Sequence, residues 1–119
     1  TGQGKTSIKL DNERLAAPNQ KPMQTKLHPN YPNPFNPETW IPYQLAKGSS
    51  VSMKIYDTSG NLIWEIDKGW QAAGFYVKPN SAVYWNGKTT HGEKVSSGVY
   101  FCHIVTDHKA EIQPLTLLK

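Results

Sequence analysis

Four histidines, one cysteine and a thin scatter of carboxylates are the side chains from which this sequence would have to assemble an active site or metal centre. His103 falls in a run with strand character and His108 just past its end. Neither the spacing of one strand face nor that of one helix face therefore joins them. His28 and His91 fall in loop-like stretches, whereas zinc needs about three or four convergent ligands. An exposed strand histidine beside a turn histidine is the simpler reading. Cys102 adjoins His103, but neighbours on a strand point to opposite faces, so the imidazole cannot act as base for that thiol. A buried, inert thiol is expected. Glu65 and Asp67 share a strand face with Lys54 as the expected cross-strand neighbour, which is the usual content of a solvated hairpin. Asp57 and Asn61 bracket Gly60 without the oxygen density calcium requires, and a turn cap accounts for Asp57. Gly4-Lys5-Thr6 has the tail of a phosphate-binding loop but not the glycine, strand and helix that complete one. No catalytic, metal or cofactor site is expected; the chain reads as a non-enzyme.

The aromatic residues carry more information. Trp64 and Trp85 alternate with polar neighbours and are expected in the core, where large rings supply much of the buried area. Trp40 and Trp70 each open an element and are candidates for an exposed contact patch. Tyr31 and Phe35, in a proline-rich stretch, are expected to pin that stretch to the edge of the fold and to contribute to the same contacts.

These side chains must be positioned by strands. From Leu27 onward the pattern is period-two alternation broken by turns. Trp40 to Leu45 places Ile41, Tyr43 and Leu45 on one face, and Pro42 removes one ladder donor, which implies an edge or bulge. Val51, Met53 and Ile55 alternate with polar residues, as do Leu62, Trp64 and Ile66; the pair predicts a hairpin over 51–67 closed at Gly60. Shorter strands are expected at 75–77 and 83–85. Gly87, Gly92 and Gly98 mark turns before a long strand over 99–106, which carries Tyr100, Cys102 and Ile104 inward, and a last strand follows over 110–118. About seven short strands with no sustained helical period predict an all-β, Ig-like antiparallel β-sandwich. Residues 1–26 are polar and too poor in apolar anchors to fold alone, so they read as an extended N-terminal arm or linker. Residues 27–119 form the sandwich.

Composition narrows the function classes. The chain has 119 residues, one domain's worth. The net charge is +4, but twelve of the thirteen basic residues are scattered lysines and the one arginine is Arg14. Without arginine forks or a basic face, nucleic acid is not an expected partner. A single cysteine excludes an intrachain disulfide. No apolar run reaches the roughly 18 residues of a membrane helix, so no span is expected.

Residues 27–45 read Leu-His-Pro-Asn-Tyr-Pro-Asn-Pro-Phe-Asn-Pro-Glu-Thr-Trp-Ile-Pro-Tyr-Gln-Leu. Further landmarks are Ile55-Tyr56-Asp57 with Gly60, then Trp85-Asn86-Gly87, Gly92 and Ser97-Gly98-Val99-Tyr100-Phe101. This order resembles the type A C-terminal sorting domains of the type IX secretion system and the related Ig-like domain of the flagellar hook-capping protein, over residues 27–119. Asn86 stands where that family more often has Asp. The ending Leu115-Thr-Leu-Leu-Lys119 resembles the end of a sorting module, which implies a native C-terminus.

The resemblance implies a non-catalytic module of a secreted or cell-surface bacterial protein. Its partners would be proteins of the secretion or surface-anchoring machinery. One alternative is a self-assembling subunit of an extracellular filament or surface layer, in which Ile8 and Leu10 of the arm add a strand to another copy. A second alternative is a carbohydrate-binding module stacking polysaccharide on Trp40 or Trp70.

Overall fold

The computed structural model describes residues 21–119. Among these residues nine strands run in chain order: β1 Lys26–Leu27, β2 Thr39–Ile41, β3 Tyr43–Leu45, β4 Ser49–Tyr56, β5 Leu62–Gln71, β6 Gly74–Tyr76, β7 Val83–Trp85, β8 Gly98–Thr106 and β9 Ala110–Leu117. Among the described residues there is no helix. One layer is a four-stranded antiparallel sheet in the order β5-β4-β8-β9. The other is split into a three-stranded sheet, β1-β3-β6, and a two-stranded sheet, β2-β7. This is the Ig-like sandwich expected from the alternation.

The split occurs at Pro42. A single strand over 40–45 would keep one set of partners, but proline offers no ladder N–H. The chain therefore pairs with β7 before Pro42 and with β1 and β6 after it. Ile41, Tyr43 and Leu45 still all face inward and are fully buried. Between the layers they meet Val51, Met53 and Ile55 from β4 and Tyr100, Cys102 and Ile104 from β8. Trp85 lies at the centre of an aromatic cluster, with ring centroids 5.5 Å from Phe35, 6.2 Å from Trp64 and 5.9 Å from Tyr100. The Tyr100 hydroxyl donates to the Ser96 carbonyl at 2.5 Å, bonding back to the preceding backbone as the tyrosine corner of Ig-like sandwiches does.

Leu62 departs from the expected core: it is 46% exposed. Ile55 pairs with Trp64 and Tyr56 with Leu62, so Ile63 is an extra residue on β5. A bulge reverses the inside–outside alternation beyond it. Ile63 thus packs against the core beside Trp64 and Ile66, and Leu62 turns to the outer face. A second irregularity leaves Lys68 unpaired between Asp67 and Gly69. Two bulges, with Glu65 and Asp67 between them, blunt this outer strand against adding a further one.

Phe35 is the second departure. It is a core residue, 1% exposed, not a contact residue. The proline-rich lead-in crosses from one layer to the other. Tyr31 and Trp40 exchange both backbone hydrogen bonds, at 2.9 and 2.8 Å. Phe35 then donates to Thr116 at 2.9 Å and accepts from Leu118 at 3.0 Å, which ties the segment to β9. The turn glycines Gly60, Gly87, Gly92 and Gly98 all have positive φ. At Gly87 the need is twofold, because φ is +77° and a Cβ would lie 2.6 Å from the Pro37 carbonyl oxygen.

The last residues of the polar arm that are described belong to the sandwich. Lys26 and Leu27 pair with Gln44 and Tyr43. The Leu27 N–H donates to Glu111 Oε1 at 2.7 Å, and Lys109 Nζ bonds both the Thr25 carbonyl at 2.8 Å and Glu111 Oε2 at 3.0 Å. Ile8 and Leu10 lie outside the described residues.

Candidate functional site

The side chains first considered for chemistry are kept apart by the fold. His28 Nε2 bonds Gln44 Oε1 at 2.7 Å, His103 faces outward opposite Lys54 and Ile112, and His91 and His108 sit in separate exposed turns. Among the described residues no group of three His, Cys, Asp or Glu side chains converges. Cys102 is fully buried, and burial pushes its thiol up to about 12, far from a reactive thiolate. Asp57 Oδ1 accepts the N–H groups of Ser59 and Asn61, each at 2.9 Å. These bonds, led by those from Asn61, hold its carboxyl below the usual range, so it is a turn cap. Glu65 stands opposite Lys54 in the sheet register. Among the described residues, none of these side chains aligns a nucleophile with a base.

What the fold does assemble is a ladder of aromatic rings on the outer face of the two-stranded sheet. On β2, Thr39 and Ile41 point inward, so Trp40 points outward; on β7, Val83 and Trp85 point inward, so Tyr84 points outward. Trp40 and Tyr84 are direct cross-strand partners, and Tyr31 pairs with Trp40 on the other side. The Tyr31 and Trp40 rings stack at 6.1 Å and 17°, and Trp40 and Tyr84 lie 5.4 Å apart at 52°. Cross-strand aromatic pairs are the contacts that fix such side chains in a sheet.

Both ends of the ladder are anchored. The Tyr31 hydroxyl donates to the Val77 carbonyl at 2.6 Å, and the Tyr84 hydroxyl donates to Glu38 Oε1 at 2.6 Å. The Glu38 carboxylate holds the Tyr84 proton in place and raises its pKa. Beneath the ladder, buried Asn30 donates to Thr39 Oγ1 at 3.0 Å and to the Pro32 carbonyl at 3.2 Å, fixing the turn that presents Tyr31. Tyr84 is 44% exposed, so the strip is open to a partner while its rings are already ordered.

Of the sequence-derived contact candidates, the structure unites Tyr31 and Trp40. Trp70 is 67% exposed but stands on a different sheet, opposite Ser50 and against Gly48. Tyr84 was missed: its signal was the alternation Val83-Tyr84-Trp85, which places it outward, but its pairing with Trp40 depends on long-range register. A second patch was missed as well. The row Leu62, Tyr56, Phe101, Pro114 crosses all four strands of the large sheet on its outer face, with Ile112 nearby and 62% exposed. The alternation of Phe101 and Ile112 with inward residues carried that signal.

Two solved structures with TM-scores above 0.5 share this architecture. A family model described as "Secretion system C-terminal sorting domain" matches residues 30–116. Among curated proteins none matches. Dimeric latent PorU from Porphyromonas gingivalis superposes with a TM-score of 0.61 at 14% identity, over 79% of this chain and 9% of that one. PorZ, described as an essential bacterial surface component of the type IX secretion system of the same organism, gives a TM-score of 0.51 at 25% identity, over 78% of this chain and 11% of that one. FlgD from P. aeruginosa is 28% identical over 62% of this chain and 56% of that one, with a TM-score of 0.44. The chain thus spans about a tenth of the length of PorU and PorZ.

Proposed function

The chain belongs to the secretion system C-terminal sorting domain family, which marks bacterial proteins exported to the cell surface or beyond, and from that premise we propose that the sandwich is a non-catalytic recognition module docking through its aromatic strip. The strip carries the reading. Trp and Tyr dominate the residues that contribute most to protein–protein affinity, and here Tyr31, Trp40 and Tyr84 are ordered in advance by ring contacts and by anchored hydroxyls. A partner that covers them orders little that is not already ordered. That partner is a protein of the secretion or surface-anchoring machinery.

The filament alternative needs an outer strand that accepts another chain. The bulges at Ile63 and Lys68 and the intervening carboxylates make β5, one of the two outer strands of the large sheet, a poor acceptor, which favours docking by a face over strand addition at that edge. The test is a reporter fused ahead of the chain in a bacterium with a type IX system. The wild-type fusion is expected at the cell surface, and a fusion carrying Trp40→Ala with Tyr84→Ala is expected to stay inside the outer membrane. Surface display of the double variant at the wild-type level contradicts the proposal.

A further inference from the structure

Where the lead-in segment meets the 86–94 loop and the end of β9, the surface encloses a pocket of about 310 Å³. Three of its lining residues are Lys88, Lys94 and Lys119, and no acidic side chain lines it. Lys88 and Lys94 are direct partners in an antiparallel bridge. Like charges directly opposite repel and cost stability, a cost that a bound anion relieves. Among the described residues the ion pair is Lys109–Glu111, which does not involve these lysines.

The backbone around the pocket is held in place. The Trp85 indole N–H donates to the Lys88 carbonyl at 2.9 Å, and the Lys88 N–H donates to Asn86 Oδ1 at 3.1 Å. Val95 donates to the Gly87 carbonyl at 3.0 Å, and the Lys119 N–H donates to Ser97 Oγ at 3.0 Å. Beside these lysines, Asn36 and Asn86 offer amides and Pro37 offers apolar surface, with the buried Leu117 side chain behind it. A bare ion gains nothing from the apolar wall. A sugar ring carrying an acidic group uses every part: its C–H face on Pro37, its hydroxyls on the amides, its anion on the lysines. The volume suits one or two rings.

We propose that this pocket binds an acidic sugar, one bearing a carboxylate or a phosphate, at a site separate from the aromatic strip. The test is a titration of the folded chain followed through backbone amide NMR shifts, with glucuronate and glucose 1-phosphate as the two acidic arms. Glucose, inorganic phosphate and a short polyglutamate peptide serve as comparisons. Saturable shifts are expected at Gly87, Lys88, Lys94 and Lys119 with at least one acidic arm, weakening as salt is added. The two arms distinguish carboxylate from phosphate as the preferred group. Lys88→Gln with Lys94→Gln removes the repulsion, so that variant is expected to stay folded and to bind at least about tenfold more weakly. The proposal is overturned by no saturable shift with either acidic sugar, or by glucose, phosphate alone or polyglutamate binding as tightly. Unchanged affinity in the double variant overturns it too.

Discussion

Strand β7 has two aromatic clusters back to back. On its inner side Trp85 is fully buried among Phe35, Trp64 and Tyr100; on its outer side Tyr84 continues the ladder through Trp40 to Tyr31. The ring separations are similar, 5.5 to 6.2 Å inside and 5.4 to 6.1 Å outside. Solvent makes the difference. At the centre of the inner cluster Trp85 has no face left for a ligand and serves the fold, whereas the outer cluster keeps apolar area in water that only a partner can remove. Adjacent residues of the same chemical kind thus do different work because a strand alternates its faces.

That contrast is easiest to break at its inner end. Trp85→Ala is expected to cost about 3–5 kcal/mol through the cavity it leaves, read as a lower denaturation midpoint; a loss below 1 kcal/mol would mean the inner cluster is not the core's centre. A smaller effect tests the same contrast on β5. Ile63→Ala is expected to cost about 1–2 kcal/mol, whereas Leu62→Ala stays within about 0.5 kcal/mol, because the bulge exchanges their faces. The reverse order would place the bulge elsewhere.

Acid sharpens the comparison at the periphery. Burial works against the Glu111 carboxylate, but the Leu27 N–H and Lys109 outweigh it and hold its pKa below the ordinary range. A group depressed on folding contributes stability above its unfolded pKa of about 4.3, and that contribution is lost as pH falls through the lower folded value. The advantage of the wild type over Glu111→Gln in urea is therefore expected to be present at neutral pH and to vanish in strong acid. An advantage that grows on acidification contradicts this latch. On the strip itself the stability effect is expected to be small: Tyr84→Ala costs about 1 kcal/mol or less, since it gives up an exposed ring tilted against Trp40 and one hydrogen bond.

The long strands were legible because Val51-Met53-Ile55 and Tyr100-Cys102-Ile104 alternate without interruption. The inward placement of Trp85 followed from the same rule, whereas Trp40 was a surface candidate only because it opens an element. Leu62 was not legible: Leu62, Trp64 and Ile66 alternate equally well with or without a bulge, and only pairing with β4 reveals the extra residue. Phe35 lies in a segment with no period at all, so its burial depends on contacts with Trp85 and β9 that local sequence does not encode. The strip was half legible for the same reason. Tyr31 and Trp40 were singled out by type, but bringing Tyr84 to them takes a strand pairing across more than forty positions.

The most direct test of the docking surface places a photo-crosslinking residue at Tyr84 in one fusion and at Ile112 in another, in cells actively exporting the protein. Position 84 is expected to capture a protein of the export or anchoring apparatus, with little capture from position 112 on the opposite layer. Strong capture at 112 with none at 84 would contradict the assignment and move the docking surface to the outer face of the four-stranded sheet.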